Sequence, residues 1–147
     1  MKTPIVHQNQ SNQNLLEIII FVIISIISFR FMNVNLFSEC SEPVKQILGT
    51  PPQAIYVNMS LVMYLFSAFV IRVVSIIMDI KPIIKWSHLG YRISFYFFLA
   101  LSGSISENFY GVFFIGIGLY LLDQFHIQLY NYKHSEEKSI IKGGHHV

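Results

Sequence analysis

Several ionisable residues stand inside or beside long apolar runs at spacings that group them. Asp123, His126 and Tyr130 recur at i, i+3 and i+7, and His88, Arg92 and Tyr96 at i, i+4 and i+8, so each set shares one helix face. Arg72 lies about two turns before the end of another apolar run, and Gln124 beside Asp123. Three chemistries fit these types. Arg92 and Asp123 on facing helices would neutralise each other as an ion pair and orient the helices. A histidine or Arg/Asp pair beside Phe95, Phe97, Phe98, Phe113 and Phe114 would hydrogen-bond a quinone or quinol headgroup. His88 and His126 on facing helices would ligate haem b. The ion pair is the reading to prefer, because intramembrane charges are usually paired.

Whether these groups meet depends on the turn between their helices. If it centres near Ser106–Glu107, a 1.5 Å rise puts Arg92 opposite residue 121 and His88 opposite residue 125. Arg92 then meets Asp123, and His88 meets His126. If it centres on Gly103–Ser104, Arg92 faces Ile115–Gly116 and reaches Asp123 only by extending its side chain along the helix.

The elements that must hold these residues are apolar. Of the 147 residues, 53% are hydrophobic and 12% charged, and the mean hydropathy is +0.52. The charged share is about half that of a soluble domain. The apolar residues also cluster in long runs, so lipid is the expected solvent. A net charge of +2 without a basic-aromatic platform argues against nucleic acid as a partner. Cys40 is the single cysteine, which excludes an internal disulfide, a CxxC pair and a cysteine zinc cage. No GxSxG, HExxH, Walker loop or strand-borne GxGxxG occurs, so no catalytic residue is assigned. No metal site is expected either; His145 and His146 follow two glycines and make a poor specific site.

The pattern predicts an all-α integral membrane protein of four spans in an up-down bundle. Residues 1–14 read as a flexible polar leader and 131–147 as a polar cytoplasmic tail, flanking a transmembrane domain over 15–130. The spans are expected at about 15–37, 54–78, 83–103 and 108–130. Asn14 and Glu17 read as an N-cap and its capping-box carboxylate, in preference to a proton site at Glu17. Thr50 and Gln53 read the same way around Pro51-Pro52. In the first outer loop, Ser41, Pro43 and Gly49 bracket a short helix whose Val44, Ile47 and Leu48 would lie on the membrane surface. Ser60, Ser67 and Ser75, and Gly111 with Gly118, recur at seven- to eight-residue spacing and suggest close helix approach. Asn58-Met59-Ser60 is formally a glycosylation acceptor but lies inside the second run.

The basic residues set the orientation. Arg72, Lys81, Lys85 and Arg92 surround the middle loop, with Lys2, Lys133, Lys138 and Lys142 near the termini. The other side has Lys45 and Arg30 against Glu39, Glu42 and Glu107. The positive-inside rule then places both termini in the cytoplasm, across a bacterial-type cytoplasmic membrane. The plan resembles several families of small four-helix membrane proteins in outline. It lacks the deeply placed glutamate and glycine signatures of small multidrug transporters, and the Arg/Asn/Glu pattern of the membrane glutathione-transferase-like family. The expected role is a non-catalytic subunit or accessory factor, partnered by the bilayer and by other membrane subunits or itself. The alternatives are a quinol- or haem-binding redox subunit using His88, Arg92, Asp123 and His126, and a small proton-coupled transporter using Glu17 or Asp123. No cofactor is assigned.

Overall fold

A computed structural model describes residues 3–144; Lys2, His145 and His146 lie outside it. The described residues form helices and no strand: α1 (Thr3–Arg30), α2 (Leu36–Glu39), α3 (Glu42–Leu48), α4 (Ala54–Ile77), α5 (Trp86–Leu101) and α6 (Ile105–Gly143). Gln8–Arg30, Ala54–Ile77 and Ile105–Ile141 are long and apolar enough to cross a membrane, which marks this as a membrane protein. The 16 residues of α5 rise only about 24 Å, less than a hydrocarbon core of about 30 Å.

The leader is not a separate polar tail. Residues 3–14 continue α1, and two of its polar side chains find partners on α6: Gln124 Nε2 donates to Ser11 Oγ at 2.9 Å, and Asn14 Nδ2 to Gln124 Oε1 at 3.0 Å. At its other end α1 stops at Arg30 rather than residue 37. Asn35 starts a new helical turn there, its Oδ1 accepting from Phe37 N at 3.1 Å and Ser38 N at 3.2 Å. The start of α4 also differs from expectation. Pro51 and Pro52 disfavour helix at the residue before each, so Thr50 stands outside the helix. Gln53 is itself the N-cap residue and makes no side-chain cap bond.

Both α4 and α5 end in Schellman motifs. After α5, Ser104 N donates to Leu99 O and Gly103 N to Ala100 O, with Gly103 at φ +66°. After α4, Ile80 N donates to Ser75 O and Asp79 N to Ile76 O, and Asp79 takes the left-handed position at φ +52°. An aspartate tolerates that conformation better than most residues. Its carboxylate faces His134 at 3.6 Å and Lys133 at 3.9 Å, well up α6. The tail expected after residue 130 is therefore helix as far as Gly143.

Pair contacts fix the helix directions. Asn14 meets Gln124 while Phe29 meets Phe109, so α1 and α6 are antiparallel. Asn58 meets Asn108 and Arg72 meets Asp123, so α4 and α6 run the same way. The two pairs are 14 residues apart on α4 and 15 on α6, about 21 and 22 Å at a helical rise. α6 packs on α1, α4 and α5, and α5 also touches α1 and α4, so α1 and α4 flank a shared α5–α6 centre. Phe21 is fully buried there, ring to ring with Tyr96, Phe113 and Tyr120. It sits directly on Gly116, where an added Cβ would lie 2.6 Å from Phe21 Cε1. Gly111 and Gly118, expected to seat a neighbouring helix, instead face open space. Gly116 has that role, because it lies on the α6 face turned to α1.

Candidate functional site

The polar residues gather at the end of the bundle that carries the α4–α5 connection. Asp123 of α6 is 2% exposed and lies between two arginines. Arg92 Nη2 of α5 donates to Asp123 Oδ2 at 3.3 Å, and Arg72 Nε of α4 donates to Oδ1 in a short contact. The Arg92–Asp123 pair expected from sequence is therefore present, and Arg72 completes a triad across three helices. The turn is at Ser102–Ser104, which puts Arg92 opposite about residue 114, nearer the Gly103–Ser104 register than the Ser106–Glu107 one. Arg92 still reaches Asp123 because helical side chains lean toward their own N-terminus. On α5 that direction leads to the α4–α5 end. On the way the guanidinium lies over the Tyr120 ring, 3.8 Å from its centroid. Arg92 Nε and Nη1 are buried and find no acceptor among the described residues.

The layer continues toward α1. The Tyr120 hydroxyl lies 3.4 Å from Glu17 Oε2, and Gln13 Nε2 donates to Glu17 Oε1 at 3.1 Å. Asn14 Nδ2 donates to the Tyr120 carbonyl at 3.3 Å. Asn14 and Glu17 are fully buried inside α1 and cap nothing. Their cap-like spacing also puts both on the face that α6 covers. Ser25 and Tyr96 add one more bond, 2.8 Å between hydroxyls. Two carboxyl groups and two arginines thus share one lateral layer that touches α1, α4, α5 and α6.

The histidines do not meet as expected. Arg72 Nη2 donates to His88 Nδ1 at 3.4 Å, whereas His126 Nε2 donates to the Ile80 carbonyl at 3.0 Å. Residues 80–85 are non-helical because Pro82 removes a donor and keeps its predecessor extended. The turn at Ser102–Ser104 sets the helix register in which His88 does not face His126, and that segment brings the Ile80 carbonyl to His126. It leaves a cavity of about 240 Å³, lined by Arg72, Lys81, Lys85, His88, Asp123 and His126 among others. No group of three or more metal-ligating side chains occurs among the described residues.

Sequence reasoning missed Tyr120, Gln124 as a bonded partner, and the polar face of α1. The signal was present: Ser11, Asn14, Glu17, Phe21 and Ser25 follow three- and four-residue steps, one helix face. Comparisons with family models, curated proteins and solved structures return no match.

Proposed function

We propose that this is a four-span membrane protein with both termini cytoplasmic, serving as a non-catalytic subunit or accessory factor of a larger membrane complex. One observation carries the role. The buried charged groups Asp123, Arg92 and Glu17 contact the bundle's own helices, while its close-approach faces point outward. Gly111 and Gly118 have nothing within 4 Å of an added Cβ, and Ser60 and Ser67 are exposed on α4. Such small-residue faces let another membrane helix come close.

The fourth span is supported by arithmetic on α5. Its helix rises about 24 Å, and non-helical residues 83–84 can add up to about 7 Å, enough for the hydrocarbon. Orientation rests on Lys81, Lys85 and Lys133, which lie at or beyond one end of the bundle, against Lys45 at the other. In this frame α3 lies along the opposite surface with Val44, Ile47 and Leu48 outward. Gentle detergent extraction followed by native mass spectrometry tests the role. A fixed stoichiometry with a different membrane polypeptide is expected, and a lone monomer or homodimer would overturn it.

A redox role is the second reading, favoured by His88 and His126 lining one cavity. A Soret band, or about one extracted quinone per chain, would establish it; absence of both removes it.

A further inference from the structure

The cavity beside the α4–α5 connection has more positive charge than the bundle needs. Arg72, Lys81 and Lys85 line it, against the single carboxylate of Asp123. Asp123 is already shared by two guanidiniums and cannot also neutralise the lysines. The nearest acidic residue in the chain, Asp79, faces Lys133 and His134 instead. Lys81 and Lys85 are exposed and have no acidic partner among the described residues. Residues 80–85 hold both at the cavity because buried Pro82 and Ile84 anchor the segment between them.

We propose that this cavity binds a phosphate-bearing anion. Its donor set suits phosphate oxygens: two ammonium groups, which are compact point charges, and a guanidinium at the base. Its volume of about 240 Å³ falls below the ~300–1,000 Å³ of sites that enclose a drug-sized molecule, so it takes a small anion or a headgroup. Ile71 and Ile83, 57% and 58% exposed, stand beside the same cavity and give an acyl chain a path along the outside of the bundle. Basic pockets between membrane helices on the cytoplasmic side commonly hold anionic headgroups. The lipid source of the phosphate therefore rests on the orientation proposed above, whereas a soluble phosphate does not.

The test uses the full chain in phosphatidylcholine nanodiscs. Inorganic phosphate is titrated against chloride at matched ionic strength, with binding read by calorimetry. In parallel, the chain is moved to phosphatidylglycerol nanodiscs and retained lipid is read by native mass spectrometry. One phosphate or one phosphatidylglycerol per chain is expected, weakened at least tenfold by Lys81→Gln/Lys85→Gln. These residues are outside the buried layer, and Lys81→Glu alone is expected to act in the same direction. Saturable binding of inorganic phosphate identifies a soluble ligand; retention of phosphatidylglycerol alone identifies a headgroup. Binding no stronger than chloride in both arms, or binding unchanged in both variants, overturns the proposal. The subunit role is read separately by co-extraction, so either can fail without the other.

Discussion

α4 and α6 run side by side in the same direction, yet they are held by opposite means. About a third of the most apolar window of α6 is buried, 33%, against 6% for α4. α6 is gripped along its length by three helices and the Phe21 ring. α4 buries Val57 and Leu61 near its start and otherwise turns Met63, Phe66, Phe69 and Ile77 outward. In water such exposure would be costly. In lipid apolar surface does not drive helices together, so association depends on close packing and polar bonds. α4 is therefore pinned at two points, Asn58–Asn108 and Arg72–Asp123, and is the helix that local changes should release first.

The largest effect is expected from Asp123→Ala, which strands the buried Arg92 and the part-buried Arg72. A loss of about 3–5 kcal/mol should appear in denaturant unfolding of the detergent-solubilised protein, with faster proteolysis of the α4–α5 connection. Arg72→Met leaves Asp123 paired with Arg92. It should cost about 1.5–3 kcal/mol and loosen α4 more than α1, as read by amide exchange. Equal loosening of both helices would sink the two-pin account of α4. Gly116→Leu drives a side chain into the Phe21 ring and should cost about 1–3 kcal/mol, with the damage centred on α1 rather than α4. Asn58→Ala removes the other pin; membrane hydrogen bonds average about 0.6 kcal/mol, and a destabilisation of that order is expected in denaturant unfolding. Gly118→Leu points into open space and should change the isolated chain by less than about 0.5 kcal/mol. A large effect of Gly118→Leu on the monomer would mean that this face is already occupied within the bundle.

The helices and the Arg92–Asp123 pair were legible because lipid imposes long apolar runs and because charges inside them must pair. What failed was choice of face and choice of partner. Gly111/Gly118 and Gly116 all sit in one glycine-rich helix, and spacing alone does not say which row meets α1. Asn14 and Glu17 satisfy a capping pattern equally well whether a helix starts there or runs through. The decision was made by Gln124 and Tyr120, more than 100 residues away. The His88–His126 juxtaposition required a turn near Ser106–Glu107; the turn lies at Ser102–Ser104 instead, so His88 meets Arg72 and His126 meets the Ile80 carbonyl. Arg72 belongs to the same set of ion-pair candidates as Arg92 and Asp123 by its place near the end of its helix; that it pairs with Asp123 itself depends on the parallel packing of α4 on α6, which pattern does not encode. The length of α6 was hidden by composition, since Lys133, Glu136, Glu137 and Lys138 read as a solvated tail and are equally good helix formers.

That length has a mechanical consequence. From Gln124 to Gly143 the helix continues for about 30 Å beyond the charged layer without a break. A tilt of about 10° pivoting at the layer would swing its far end by about 5 Å. Helix tilt follows bilayer thickness, so the extension converts thickness into lateral displacement. The contacts of Asp79 with Lys133 and His134, midway along the arm, would carry the same motion into the α4–α5 connection.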